Sequence, residues 1–169
     1  MNIFSEGEWR PRAIATLGNG ASPSAESVLV VSSGFEGANT LRLVNALEPD
    51  RIMVGLSVGG NIEHEKLSKR NNARLGEQYQ LAADVLEFPS INLARSLAVL
   101  KDATMNVTRP VHRDLALSFL ICGSKLDALA IGLFALDNDV AQIYFSDPER
   151  RLETTASAVS WVTAVKVRS

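Results

Sequence analysis

With 169 residues, of which 46% are apolar, 21% charged and only 6% aromatic, the chain has the length and balance of one globular domain rather than a disordered, collagen-like or coiled-coil protein. Its 17 lysines and arginines against 19 acids give a net charge of −2, so no global basic field favours duplex nucleic acid as a partner. The single Cys122 excludes an internal disulfide and a multi-cysteine zinc site, no apolar run approaches the roughly 20 residues of a membrane span, and the N-terminus is not signal-like, which together point to a cytoplasmic setting away from the membrane.

Residues 1–27, punctuated by Pro11, Gly18, Gly20 and Pro23 around one short apolar segment, read as an arm or linker preceding a domain at 28–169. From Ser27 onward, short β-branched runs alternate with longer amphipathic stretches. Val28-Leu29-Val30-Val31 is a first strand, closed by Ser32-Ser33-Gly34. Leu41, Val44 and Leu47, spaced three apart, place one apolar face on a helix from Glu36 to Leu47 that Pro49 ends. Residues 51–56 read as a second strand, and the charged stretch 62–79 as a solvated helix. A third strand at 83–88 and a helix at 91–100 follow.

Leu115 to Ile121 is the most continuously apolar run, with Ser118 its one polar residue, as expected of a central strand covered on both faces. A helix at 125–136 and a fifth parallel strand at 140–145 complete four βαβ crossovers. Val159, Trp161, Thr163, Val165 and Val167 alternate at period two and predict a last strand joining an edge antiparallel. The expected fold is therefore α/β: a Rossmann-like, doubly wound, mostly parallel sheet of about six strands with an antiparallel C-terminal edge strand.

Sheets of this kind bind ligands outside the carboxyl ends of their strands, where helix N-termini offer unpaired N–H groups. Three loops on that side combine glycine with small hydroxyl residues: Ser32 to Gly37, Ser57 to Asn61, and Cys122 to Lys125. In Gly123-Ser124-Lys125, glycine lets a ligand approach the backbone, serine stands at an N-cap position and lysine supplies a positive charge. The same tripeptide also reads as a plain turn and helix cap with Lys125 in solvent, just as Ser32, Ser33 and Gly34 read alone simply cap the next helix. Neither a Walker A loop nor a dinucleotide fingerprint is present, since position 118 is Ser, 126 is Leu, and Ser57 stands where an acid would end the second strand. His64 lies in the charged run Glu63-His64-Glu65-Lys66, and His112 precedes the central strand, so neither supports a metal site. Cys122 sits in an apolar context and reads as an inert thiol, while Glu36 and Asp147 read as a solvated helix start and a turn as readily as ligand-edge acids.

A first strand ending in Ser32-Ser33-Gly34, together with a central strand entering Gly123-Ser124-Lys125 and an Ala-rich helix, resembles the CARF-type domain, the CRISPR-associated Rossmann-like module that senses cyclic oligoadenylates. The resemblance spans residues 27–167, with Ser124 where many relatives carry threonine, and the Trp161-bearing strand suits the variable edge of such folds. It implies a ligand held across a two-fold homodimer interface by Ser32, Ser33, Gly34, Phe35, Gly123, Ser124 and Lys125, with backbone N–H groups and Lys125 on phosphates and hydroxyls on ribose or phosphate oxygens. No cofactor and no metal are implied, and no nuclease, HEPN or winged-helix effector is read in the chain. The function implied is a nucleotide-sensing module in bacterial antiviral defence, taking a cyclic oligonucleotide or another phosphorylated adenine ligand. Two other readings stay open: a metal-independent ring nuclease, in which a ribose hydroxyl attacks the adjacent phosphate and Lys125 stabilises the developing charge, and a ligand-free structural or interaction subunit of a defence complex.

Overall fold

The β-branched runs become the strands of one sheet because its central strands can be covered on both faces, and the apolar stripes of the intervening helices supply the cover. The computed structural model describes residues 5–79, 85–89, 91–108 and 114–151. In chain order these form β1 (Ser5–Ala13), β2 (Glu26–Ser33), α1 (Gly37–Leu47), β3 (Arg51–Val58), α2 (Ile62–Asn71), α3 (Ala73–Gln78), β4 (Val85–Pro89), α4 (Leu93–Thr108), β5 (Leu115–Ile121), α5 (Lys125–Asp137) and β6 (Gln142–Arg151). The sheet order is β1-β6-β5-β2-β3-β4, parallel throughout except for the β1–β6 pair. This is the expected α/β class, with helices on both faces.

β2 shows why the sheet holds. Its alternate residues serve opposite layers: Val28 and Val30 pack with Phe119, Ile131 and Phe134 under α4 and α5, while Leu29 and Val31 pack with Leu43, Val44 and Leu75 under α1 and α3. All four β2 residues are buried, and each such side chain contributes about 1.5–3 kcal/mol of apolar burial. α1 leaves β2 for one face and α5 leaves β5 for the other, so the strand order reverses between β2 and β5, the place where such sheets open a crevice.

The antiparallel edge comes from the opposite end of the chain to the one expected. Residues 5–13, read above as part of an arm or linker, form β1, which pairs with β6 from Ser5↔Arg151 to Ala13↔Tyr144. Pro11, which helped to disguise it, and Gly7 are both tolerated at an edge. The register shifts between Glu6 and Trp9, and Gly7 takes φ +89°, where a Cβ would run into the Glu149 side chain. β6 pairs with β5 only as far as Phe145, so beyond it β6 and β1 continue past the rim as a two-stranded ribbon. The alternating strand expected at 158–167 lies outside the described residues, as do His112 and the first two residues of the strand expected at 83–88.

The helix expected over 62–79 is two helices broken at Asn72, whose φ of −94° and ψ of 4° end α2 and start α3. Its buried amide nitrogen donates to the Ser68 carbonyl (2.9 Å) and the Gly34 carbonyl (2.9 Å), so the break ties α2 to the loop after β2. Among the described residues no helix is long and apolar enough to cross a membrane.

Candidate functional site

The end of β2 and the end of β5 meet at the reversal of strand order. The Cys122 amide donates to the Ser32 carbonyl (2.8 Å), and Gly34 lies so close to the Cys122 carbonyl that a Cβ there would collide with it. A Cβ on Gly123 would likewise collide with Ser32 Oγ and stand 2.7 Å from Asp127 Oδ2. Both glycines are thus required by the contact between the two loops. The contact brings Ser32, Ser33, Gly34 and Phe35 onto the same rim as Gly123, Ser124 and Lys125.

The hydroxyls on this rim turn inward. Ser33 Oγ, in a residue 1% exposed, donates to the Gly55 carbonyl (2.8 Å) and pins β2 to β3. Ser32 Oγ lies 3.5 Å from Asp127 Oδ2. Ser57 Oγ, at the end of β3, donates to the same oxygen at 2.8 Å, and the Ser124 amide does so at 2.9 Å. Ser124 Oγ in turn accepts from the Asp127 amide (3.1 Å), which completes a reciprocal capping box at the start of α5. Asp127 is 1% exposed, and its other oxygen, Oδ1, is buried with no partner among the described residues. One carboxylate therefore gathers donors from β2, β3 and α5, and it sits where the positive end of the helix dipole favours negative charge.

What the rim offers to solvent is different. Lys125, the first residue of α5, is exposed and makes no ion pair among the described residues. The amides of Lys125 and Leu126, in the first helical turn, have no intrahelical acceptor. Beside them the loop after β2 presents Phe35, 45% exposed, with its ring edge-to-face on His64 of α2 at a centroid distance of 5.3 Å. That loop is held from beneath: Asn71 Nδ2 donates to the Phe35 carbonyl (2.6 Å), while Ser68 Oγ (3.2 Å) and Asn72 Nδ2 (2.9 Å) both donate to the Gly34 carbonyl.

Asp127 and His64 take part in this arrangement, although sequence reasoning assigned neither of them to it, and Ser57 entered there only as the start of a candidate loop. The signal for Asp127 was the spacing of Ser124 and Asp127, a capping pattern with aspartate in place of glutamate. Nothing in a single sequence pairs Phe35 with His64. The acids considered at the ligand edge are engaged elsewhere: Glu36 Oε2 accepts from Asn39 (2.7 Å), and Asp147 pairs with Arg12 (3.4 Å).

Although Cys122 keeps some exposed surface, burial pushes its thiol up to about 12, with hydrogen bonds to Thr40 and Ser146 acting the other way, so at neutral pH it is no nucleophile. No group of three or more histidine, cysteine or acidic residues is placed to hold a metal among the described residues. A shallow depression of about 650 Å³ lies at the other rim, at the amino ends of the strands, where Glu26, Asp50 and Asp114 make it acidic and ill suited to an anion. No protein-family model matches the chain, and no curated protein is significantly similar to it.

Proposed function

We propose that the chain is a nucleotide-binding module that takes a phosphorylated adenine ligand, of the cyclic oligonucleotide class used in bacterial antiviral signalling, at the carboxyl rim between β2 and β5. The observation that carries this reading is the combination at that rim of an exposed lysine with no ion pair among the described residues, first-turn amides of α5 and an exposed aromatic on a loop held by three side chains. Lys125 and the amides of Lys125 and Leu126 hold phosphate oxygens. Because Asp127 already occupies the helix dipole with a buried negative charge, Lys125 carries most of the attraction for the anion. Ser32, Ser33 and Ser124 act beneath the ligand by fixing the two loops, a role their inward hydrogen bonds favour over direct contact.

The same bonds favour binding over cleavage, since the rim hydroxyls and the Asp127 carboxylate are committed to one another. A second copy facing the first across the rim would complete the enclosure of a symmetric cyclic ligand. The experiment is a thermal-shift titration with cyclic oligoadenylates, linear adenine nucleotides and inorganic phosphate, followed by resolution of the nucleotides recovered. The reading expects a nucleotide-dependent rise in melting temperature, intact ligand recovered, and a loss of about tenfold to a hundredfold in affinity for Lys125→Ala with unchanged folding. Recovery of linear cleavage products would instead establish a ring nuclease. No shift with any nucleotide would leave a structural subunit.

A further inference from the structure

The Phe35–His64 pair has no role in the core. Phe35 is 45% exposed and His64 is exposed on α2, so burial does not account for their contact. Single exposed apolar residues are ordinary on protein surfaces. What distinguishes this one is the apparatus that holds it still. Three side chains from the end of α2 converge on two consecutive carbonyls, Gly34 and Phe35, and a fourth contact closes the loop, since a Cβ on Gly37 would collide with the Asn71 carbonyl. Asn72 meets this demand at a cost: its Oδ1 is buried with no partner among the described residues, a state that ordinarily costs on the order of a hydrogen bond. A buried polar atom left without a partner calls for an explanation, and here it is the hold on the loop that presents Phe35.

We infer that Phe35 and His64 form a stacking platform that reads the base of the bound nucleotide, so that the rim selects an aromatic nucleotide over a bare polyphosphate or a sugar phosphate. This rests on the reading of the carboxyl rim as an anion site, and adds to it the recognition of the base. The edge-to-face contact at an interplanar angle of 71° engages one ring on the other and leaves Phe35 with open surface for a planar guest. Gly34 abuts Cys122 and Gly123, so the platform begins one residue from the loop contact and Lys125 lies two residues beyond it on the other side. Base and phosphate are thereby received by different loops of one rim. Stacking tolerates any base, so the platform supplies affinity for nucleobases as a class, and preference among them falls to other contacts.

The test compares Phe35→Ala, Phe35→Trp, His64→Ala and Lys125→Ala in calorimetric titrations with a cyclic oligoadenylate, linear ATP and inorganic tripolyphosphate, with melting temperature recorded for each variant. Phe35→Ala is expected to weaken both nucleotides about tenfold or more while leaving tripolyphosphate within twofold, Phe35→Trp to retain or exceed wild-type affinity, and His64→Ala to lose a smaller factor on the nucleotides alone. Lys125→Ala is expected to weaken all three. If Lys125→Ala weakens the nucleotides but Phe35→Ala and His64→Ala bind them like wild type at unchanged melting temperature, the platform is refuted and the anion site stands. If wild type binds none of the three probes, the anion site itself fails and the platform falls with it.

Discussion

Replacing Asp127 with alanine tests whether the buried carboxylate organises the rim. The side chain is 1% exposed, and Oδ2 accepts two short hydrogen bonds, from Ser57 Oγ at 2.8 Å and the Ser124 amide at 2.9 Å, while the 3.5 Å approach of Ser32 Oγ contributes little. Hydrogen bonds to a charged group contribute about 1.5–3 kcal/mol each, so the two together amount to roughly 3–6 kcal/mol. Against this, removing the side chain relieves the desolvation of Oδ1, which has no partner among the described residues, on the order of 1–3 kcal/mol. At the middle of both ranges, the expected net loss is about 2–3 kcal/mol, which for a chain of this size corresponds to a fall in melting temperature of roughly 5–10 °C.

Urea unfolding followed by circular dichroism gives this value directly, provided the slope of the transition is unchanged. Ser57→Ala should cost about 1.5–3 kcal/mol, and the double variant should lose less than the sum, because the two groups share one bond. An Asp127→Ala protein within about 0.5 kcal/mol of wild type, or a strictly additive double variant, would refute the claim that this carboxylate ties β3 to the start of α5.

Three further outcomes follow from the same geometry. Gly34→Ala, which drives a Cβ into the Cys122 backbone carbonyl, should destabilise by about 1–3 kcal/mol or more in the same assay. Gly132→Ala, in the middle of α5 with nothing near its Cβ position, should stabilise by roughly 0.5–1 kcal/mol. The Cys122 thiol should resist iodoacetamide near neutral pH in the folded protein and react once urea unfolds it, as mass spectrometry would show. Because its folded-state value of about 12 stands above the unfolded value of about 8.5, the contribution of the neutral thiol is complete below the lower value and is lost as pH rises toward the upper one. Stability should therefore fall more steeply above about pH 9 in wild type than in Cys122→Ala. Equal slopes, or labelling of the folded thiol, would contradict its burial.

The parts of the fold that depend on local periodicity were legible in the residues. Leu41, Val44 and Leu47 foretold the inward face of α1, and the run from Leu115 to Ile121, interrupted only by Ser118, foretold a strand between two others, because a strand covered on both faces is mostly apolar. Features decided by tertiary contact were not. Residues 5–13 look like part of a linker because Pro11 interrupts them and Gly18, Gly20 and Pro23 follow, yet an edge strand accommodates a bulge and a proline, and the partner that makes them a strand is more than 130 residues away along the chain. The helix break at Asn72 has no glycine or proline to announce it, and its function is to reach the Gly34 carbonyl.

At the rim, Gly123, Ser124 and Lys125 were identifiable as a helix start by their chemistry, but the inward turn of Ser32 and Ser33 was not. A serine at a strand end reads the same whether it faces solvent or, as here, a carboxylate at the start of a helix ninety-odd residues later.

The most direct measurement is an amide NMR titration of the isotopically labelled protein with a cyclic oligoadenylate. The account expects the largest shifts at Gly34, Phe35, Gly123, Lys125 and Leu126, and their disappearance in Lys125→Ala at the same ligand concentration. Shifts confined to the amino ends of the strands, around Glu26, Asp50 and Asp114, or an unperturbed spectrum at saturating ligand, would contradict it.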